Sequence, residues 1–275
     1  MGGSTAVEAH YTRPQLERTI LQALTRAGHD LQKVKALDLA PLDEFHVGGL
    51  ESTQELVKFM KLRPGMHLLD VGCGIGGPAR YFAEQQGCRV TGVDLTEEFV
   101  RTAESLTKMT GLEKLVTFRR ASALELPFER GTFDGAYVIH VGMNLADKAG
   151  LFREVARVLK PGARFTIFDF MAVRKEKFAF PVPWALTEET SFVSERNAYH
   201  EGLWSAGFEV EHERDRRQFA IEFTQRVMTQ AATSGPPVLG LHLLMGEKAP
   251  VMLKNVFGAM QAGILEPVEM VVVAR

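Results

Sequence analysis

The residues most able to do chemistry follow an apolar run, at a point where closely spaced glycines meet acidic side chains. Residues 68–77 have the sequence LLDVGCGIGG. Glycine lets the backbone adopt positive φ and lets a ligand approach the main chain, and a helix that follows offers its positive N-terminal end. Gly72, Gly74 and Gly77 form the pattern G-x-G-x-x-G, and Asp94 follows about 20 residues later, where the dinucleotide fingerprint has a ribose-binding acid. The spacing predicts a nucleotide-binding turn.

Further motifs accompany this turn and distinguish between kinds of nucleotide-binding domain. Asp70 stands directly before the glycines, FDGAYVIH covers residues 133–140, and RVLKPG covers residues 157–162. Together with the acid after the second predicted strand, these motifs resemble the class I S-adenosylmethionine-dependent methyltransferases. The resemblance extends over about residues 45–170. The layout is similar to small-molecule members of that class, the sarcosine/dimethylglycine, tocopherol and sterol methyltransferases.

The resemblance implies roles for the turn in binding S-adenosylmethionine and its product S-adenosylhomocysteine. Gly72 and Gly74 would let the backbone approach the methionine half, and Asp70 would meet its ammonium directly or through water. Asp94 would accept hydrogen bonds from both ribose hydroxyls, since a carboxylate is a natural acceptor for a diol. A tight turn without a ligand and a helix cap for the segment from Thr96 are the alternatives.

Residues 122 and 123 lie where this family often has an aspartate against the adenine amino group. Here they are Ser122 and Ala123, so we expect Ser122 or the backbone alone to contact adenine. The end of the fourth predicted strand should lie against the methionine and the acceptor. The predicted cofactor-binding residues are Tyr11, Asp70, Gly72, Cys73, Gly74, Asp94, Leu95, Ser122, Ala123, Ile139 and His140.

His140 is the candidate catalytic residue. Methyl transfer from a sulfonium is an in-line displacement with a good leaving group, so holding the reactants in line, worth roughly 7–11 kcal/mol, is the main requirement. His140 would act as a general base for an acceptor O–H or N–H, because its unperturbed pKa suits that role; the alternative is a histidine that only shapes the pocket. Asn144 would orient an acceptor or cap a helix beginning near Ala146, and we favour capping.

The N-terminal segment is predicted to fold over the cofactor. Tyr11 precedes an amphipathic helix expected over residues 12–27, and related enzymes carry a tyrosine in this place. A surface tyrosine on a loose arm is the alternative. The run EFHVGG at residues 44–49 either borders the methionine carboxylate with its backbone or is a simple turn.

Strands and helices alternate through the middle of the chain. Strands are predicted at 66–71, 89–93, 116–120, 133–139 and 164–170, with helices near 78–86, 97–109 and 146–159. Alternation predicts an α/β fold: a doubly wound, mostly parallel seven-stranded Rossmann-like sheet, with an N-terminal helical lid and a helical cap inserted before the last strand. We describe residues 1–275 as a single domain with a lid (1–50), a cofactor-binding half (51–170) and an acceptor-side part (171–275).

The acceptor-side part should supply the cap and the last two strands. Helices are predicted over 188–206, 221–232 and 251–262, and strands over 208–214 and 267–273. Large side chains here would line an apolar pocket or enclose a cation. They are Phe180, Trp184, Trp204 and Met245. For Trp204, packing in the core is favoured over contact with a ligand.

Composition limits the partners of the chain. A net charge of −2 over 275 residues gives no basic field, so a small-molecule acceptor is expected rather than nucleic acid. The N-terminus has no secretory signal pattern, and no apolar stretch reaches the roughly 18 residues of a membrane span. Two cysteines without metal-ligand or disulfide spacing favour a reducing, cytoplasmic setting without a metal. A homodimer is left open.

Three functions are compatible with these motifs. The first is transfer of a methyl group from S-adenosylmethionine to nitrogen, oxygen or carbon of a small metabolite. The second is a nicotinamide-dependent oxidoreductase, which the glycine pattern and Asp94 alone would also serve, although no tyrosine has the lysine four places later that short-chain reductases need. The third is a cofactor-binding module without catalysis.

Overall fold

The computed structural model describes residues 2–235 and 237–275, which contain one large sheet. Its strands are β1 (His67–Val71), β2 (Arg89–Asp94), β3 (Val116–Arg120), β4 (Phe133–Ile139), β5 (Leu159–Ala172), β6 (Phe208–Asp215) and β7 (Leu265–Ala274). The described part of the chain forms a seven-stranded sheet in the order β3-β2-β1-β4-β5-β7-β6. Among these strands β7 runs opposite to the other six, so its pairings with β5 and β6 are antiparallel and the remaining pairings are parallel. The predicted doubly wound, mostly parallel sheet is therefore confirmed.

Helices cover both faces of this sheet. They are α1 (Gly2–Tyr11), α2 (Leu16–Arg26), α3 (Ala36–Asp43), α4 (Gly49–Met60), α5 (Gly77–Gln86), α6 (Glu97–Met109), α7 (Lys148–Val158), α8 (Arg196–Ser205), α9 (Arg217–Ser234), α10 (His242–Met245) and α11 (Ala249–Gln261). Side chains of α4 and α5 pack on one face, and those of α7 and α8 pack on the other. None of the described helices has the length and apolar character needed to cross a membrane.

Burial on both faces explains the apolar strand sequences. Leu68, Leu69 and Val71 of β1 are all completely buried. Leu68 points to one face of the sheet, and Leu69 and Val71 point to the other. Parallel strands covered by helices on both sides need apolar residues at successive positions, rather than only at every second one. This pattern made the five parallel strands predictable.

Several element boundaries differ from the predictions. The segment before Tyr11 is helical, because α1 covers Gly2–Tyr11. Strand β5 begins at Leu159 rather than at residue 164, and α9 begins at Arg217 rather than at residue 221. Boundaries are weakly encoded in local sequence, because tertiary pairing extends elements beyond their own periodic pattern.

The helix predicted over 188–206 is wrong in its first half. A single 3-10 turn, Glu188–Thr190, is followed by extended backbone, and α8 begins only at Arg196. The Phe192 N–H donates to the Met143 carbonyl at 2.9 Å, which ties this extended segment to the loop after β4. A long-range hydrogen bond therefore replaces the local helical one that the sequence pattern favours.

The N-terminal helices pack beside the glycine turn. Leu16, Ile20 and Leu24 form the buried stripe of α2, and they share an apolar cluster with Ile75 of the turn and Phe99 of α6. This arrangement places α1 to α3 over the end of the sheet where β1 and β2 finish. The amphipathic helix is thus confirmed as a covering element.

A buried arginine fixes the position of this lid. Arg80 of α5 is completely buried, and its Nη2 donates to Asp43 Oδ2 of α3 at 2.7 Å and to the Ile75 carbonyl at 2.8 Å. Its Nη1 donates to Thr107 Oγ1 of α6 at 3.0 Å. One guanidinium therefore connects the lid, the glycine turn and the helix after β2.

We expect Arg80→Met to lower the free energy of unfolding by about 3–5 kcal/mol, because it leaves the Asp43 carboxylate buried without its cation. Arg101→Met is the matched control, since Arg101 pairs with Glu97 on the surface, and we expect a loss below about 1 kcal/mol. Urea denaturation followed by circular dichroism measures both. Equal losses in the two variants would contradict the anchoring role of Arg80.

Candidate active site

A cavity of about 420 Å³ opens where β1, β2 and β4 end. Residues from the lid, the sheet and the cap line it together. All the side chains and backbone positions predicted to bind the cofactor lie on its wall, namely Tyr11, Asp70, Gly72, Cys73, Gly74, Asp94, Leu95, Ser122, Ala123, Ile139 and His140. The structure therefore brings the predicted set to one place, while the binding role of each residue stays a prediction.

The glycines of the turn differ in what they make possible. Gly72 has φ +78°, and a Cβ there would lie 2.5 Å from a methyl carbon of Val141. Gly74 has φ +52°, and a Cβ there would meet nothing within 4 Å, so its surroundings are open to a ligand. At Gly77 a Cβ would overlap the Asp43 carbonyl. The first glycine serves packing, the second faces open space, and the third admits the lid.

Asp94 connects the end of β2 to the turn. Its Oδ2 accepts a hydrogen bond from the Gly74 N–H at 3.0 Å, and its Oδ1 accepts one from the Thr96 N–H at 2.8 Å. Burial raises the pKa of Asp94 to about 6, although these two donors oppose the shift. The helix-start contact to Thr96 is therefore real, and it coexists with a carboxylate on the cavity wall.

Asp70 carries the least satisfied carboxylate of the turn. The residue is only 3% exposed, and its Oδ2 has no hydrogen-bond partner among the described residues. Burial raises the pKa of this carboxyl to about 8. A buried acid on a cavity wall with an unpaired oxygen is suited to a cationic ligand group, which would restore the ionised form.

Ser122 and Ala123 lie on the cavity wall just beyond β3. The Ser122 hydroxyl accepts a hydrogen bond from the Leu124 N–H at 3.2 Å, which fixes a tight turn. Leu95 lies at the end of β2, on the same wall. This part of the wall presents small side chains and backbone, with no acid at positions 122 and 123.

His140 ends β4 in an unusual backbone conformation, with φ +55°. Its N–H donates to the Phe168 carbonyl at 2.7 Å, which keeps it aligned with β5. Its Nε2 is buried without a partner among the described residues. Burial, assisted by the nearby His46, holds the pKa of His140 well below its ordinary value. The imidazole is therefore neutral at physiological pH, with a nitrogen available to a ligand.

Sequence analysis missed the side chains of the segment before α4. His46 lines the cavity, and its ring centroid lies 6.0 Å from that of His140. Thr53 Oγ1 donates to Glu44 Oε2 at 2.6 Å and lies 3.2 Å from His46 Nε2. Burial lowers the pKa of His46 to about 4 and raises that of Glu44 to about 8. Glu44, His46 and Thr53 therefore form a polar group that is uncharged near neutral pH. No spacing rule in the sequence indicated this group.

Asn144 does not cap α7, so the favoured interpretation of that residue is wrong. Asp147 is the capping residue, because its Oδ1 accepts a hydrogen bond from the Gly150 N–H at 2.7 Å. Asn144 Oδ1 instead accepts a hydrogen bond from the Tyr11 hydroxyl at 3.1 Å. This bond joins the end of α1 to the loop after β4. Tyr11 is thus packed into the site rather than lying on a loose arm.

Asp169 supports the same loop and was also missed. Its Oδ2 accepts hydrogen bonds from the Gly142 N–H at 2.7 Å and from the Tyr199 hydroxyl at 2.9 Å. The residue is completely buried, which raises its pKa to about 7. An acid inside the apolar run FTIFDFM was the available signal, because a buried acid in a strand needs dedicated partners.

The large side chains predicted in the cap separate into two groups. Trp184 and Met245 line the cavity, and the Trp184 ring stacks on Phe170 at 5.2 Å between centroids. Phe180 packs against the apolar cluster of the cap without lining the cavity. Trp204 is 68% exposed on α8, so the preference for core packing there is wrong. Periodicity in α8 did not distinguish its solvent face from its buried face.

The described residues include no group of three or more His, Cys, Asp or Glu side chains placed to hold a metal ion. Two histidines outside the cavity have other contacts. His200 Nε2 lies 2.7 Å from Glu213 Oε2, and the His212 ring stacks on Phe59 at 4.1 Å. The arrangement around the cavity is therefore one of acids, neutral imidazoles and apolar groups.

Comparison with known proteins identifies the central part of the chain. Residues 69–167 match the model of a methyltransferase domain family. The 24-methylenesterol C-methyltransferase 3 of Arabidopsis thaliana is 35% identical over 119 residues, covering 43% of this chain and 33% of the relative. The phosphoethanolamine N-methyltransferase 3 of the same plant is 35% identical over 180 residues, covering 65% of this chain and 36% of the relative. The chain thus spans about a third of the length of these curated relatives.

A solved structure extends the similarity of the fold to the whole chain. The geranyl diphosphate C-methyltransferase of Streptomyces coelicolor has a TM-score of 0.73, with 17% identity, and the match covers 100% of this chain and 99% of that one. The family match covers the glycine turn, Asp94 and the end of β4, and it favours the methyl-transfer hypothesis over the nicotinamide one. Residues 69–167 are therefore similar to a methyltransferase domain family, and the whole chain shares the fold of a solved methyltransferase.

Proposed function

We propose that this protein transfers a methyl group from S-adenosylmethionine to a nitrogen, oxygen or carbon nucleophile of a small molecule. The observation that carries the proposal is one continuous cavity. Its wall contains the predicted cofactor residues around Asp70 and Asp94, and it continues to Trp184 in the cap. Both reactants would be enclosed in one space, which is the main requirement for an in-line displacement.

The residues on the sheet side fit this cofactor. The unpaired Asp70 oxygen would bind the methionine ammonium, and the open space beside Gly74 would admit the methionine half. Asp94 would accept hydrogen bonds from the ribose hydroxyls, and Ser122 with Ala123 would border the adenine. Cys73, Leu95 and Ile139 would complete the wall. When bound, S-adenosylmethionine supplies an electrophilic sulfonium methyl, with S-adenosylhomocysteine as the leaving product.

The remaining residues would orient the acceptor and exclude water. His140 would accept the proton of an acceptor O–H or N–H at Nε2 in the tautomer that carries its own proton on Nδ1, because burial keeps the ring neutral. A carbon acceptor would need no such transfer before attack. The hydrogen bond between Tyr11 and Asn144 would keep the lid closed over the reactants.

The setting of the protein belongs to the same proposal. A small-molecule acceptor fits an enclosed cavity, whereas nucleic acid would require a basic surface that a net charge of −2 does not favour. A cytoplasmic location and a role in small-molecule metabolism remain proposals, and a homodimer remains open. Light scattering of the purified chain measures its oligomeric state.

Cofactor binding is the first test. In calorimetric titrations we expect S-adenosylmethionine and S-adenosylhomocysteine to bind, and NADH and NADPH not to bind. Asp94→Asn should weaken binding at least tenfold, because an amide accepts fewer hydrogen bonds from a diol and no longer matches the turn. Asp30→Asn, on the exposed surface, is the control and should bind as wild type does. Binding of the nicotinamides alone would overturn the proposed function.

Asp70→Asn should change both the pH dependence of the unfolding free energy and the affinity for S-adenosylmethionine. An acid whose folded pKa is about 8 stabilises the protein at low pH, and this contribution is lost as pH rises through 8. Between pH 6.5 and 8 the unfolding free energy of the ligand-free protein should therefore fall by about 1.6 kcal/mol less in Asp70→Asn than in wild type. The variant should also bind S-adenosylmethionine at least tenfold more weakly. Identical pH profiles would show that the Asp70 carboxyl is not kept neutral.

His140→Ala tests proton transfer. With an acceptor identified by screening amines, phenols and quinols, turnover should fall at least a hundredfold while the affinity for S-adenosylhomocysteine stays within threefold of wild type. His200→Ala, at a partly exposed histidine outside the cavity, should retain turnover. Unchanged turnover in His140→Ala would remove this residue from the mechanism and leave it only a role in shaping the pocket.

A further inference from the structure

We propose that the acceptor of this enzyme is an uncharged, largely hydrocarbon molecule, held by an apolar chamber that the cap forms beside His140. This inference rests on the proposed function, because it names the acceptor class for the same site. The chamber is the part of the cavity wall built by α9, α11 and the segment around Trp184.

Apolar side chains dominate the helical wall of the chamber. Val256 and Met260 are 5% and 1% exposed, and Thr224 adds a single hydroxyl. The apolar side chains that α9 and α11 contribute to the cavity are Phe223, Val227, Met228, Leu253, Val256 and Met260. Contact with such a wall favours ligand hydrocarbon over ligand charge, because each buried apolar Å² contributes roughly 25 cal/mol and an unpaired ion loses its hydration.

An aromatic row connects this chamber to the candidate catalytic residue. The ring centroid of His140 lies 4.8 Å from that of Phe170, and Phe170 stacks on Trp184 at 5.2 Å. The Trp184 indole N–H already donates to Ser191 Oγ at 2.9 Å. The ring therefore presents an apolar surface to a ligand, and the reacting group of an apolar acceptor would lie next to the histidine.

The charges on the wall are already engaged or lie on the cofactor side. Asp43 pairs with Arg80, and Asp147 caps α7. Asp70 and Asp94 are assigned to the cofactor. No Lys or Arg is found among the described residues that line the cavity. A phosphate or diphosphate acceptor would therefore lose its hydration without gaining a cation.

The mouth of the chamber is also lined by apolar side chains. Val227 and Met228 line the cavity, yet they are 45% and 42% exposed, so they lie where the cavity meets solvent. Exposed apolar side chains grouped at an opening are typical of a ligand-binding entrance. An apolar molecule would pass these two residues before reaching the Trp184 ring.

A matched pair of ligands tests the inference. Geraniol and geranyl diphosphate share one hydrocarbon chain and differ by the diphosphate. The protein is first saturated with S-adenosylhomocysteine, and the uncharged dye Nile red is then bound and displaced by each ligand, with phosphoethanolamine as a charged amine. We expect geraniol to displace the dye at a concentration at least ten times lower than that of geranyl diphosphate, and phosphoethanolamine not to displace it.

Two lysine substitutions test whether the dye and geraniol bind in the chamber. Val227→Lys places a cation at the mouth, where partial exposure lets the fold accept it, and it should raise the half-displacing concentration of geraniol at least fivefold. Val251→Lys is the matched control, because Val251 is 42% exposed on α11 and does not line the cavity. Its displacement curves should match those of wild type.

Three results would overturn the inference. These are displacement by geranyl diphosphate at concentrations equal to or below those of geraniol, absence of saturable dye binding, and equal effects of the two lysine variants. The calorimetric titration separates this outcome from failure of the proposed function. If S-adenosylhomocysteine binds and the dye result is negative, only the acceptor class is wrong. If S-adenosylhomocysteine does not bind, the proposed function itself is wrong.

Discussion

The ion pair between Arg80 and Asp43 is the interaction on which the rest of the site depends. A guanidinium with no exposed surface bonds to the lid, to the backbone of the glycine turn and to Thr107 in the helix after β2. A buried cation must keep its partners, because a lost partner costs several kcal/mol. The three elements therefore keep a fixed relative position, and Gly77 supplies the space that the lid needs for close approach.

Within this frame, the cavity wall carries polar groups that the protein itself does not satisfy. Asp70 Oδ2 and His140 Nε2 lie on that wall and are buried without hydrogen-bond partners among the described residues. Each such group lowers the stability of the ligand-free protein, because folding removes its hydration without replacement. Their collection around one cavity agrees with the general tendency of perturbed titratable groups to gather at functional sites.

Local sequence rules predicted the parts of this structure that depend on neighbours along the chain. Apolar runs gave the parallel strands, and the spacing of Gly72, Gly74 and Asp94 gave the turn. Two of the missed features join distant segments. Asp169 faces a loop 27 residues away, and Asn144 binds a tyrosine 133 residues away. No periodicity encodes such contacts, so the extended segment before α8, which is tied to the loop after β4, did not follow from pattern alone.

The left-handed backbone at His140 has a consequence for how this position can vary. A residue with a Cβ at φ +55° carries a cost of about 1 kcal/mol, which glycine avoids and asparagine reduces. Selection for stability alone would therefore favour one of these two at residue 140. The protein therefore places an imidazole on the cavity wall at a small cost in stability.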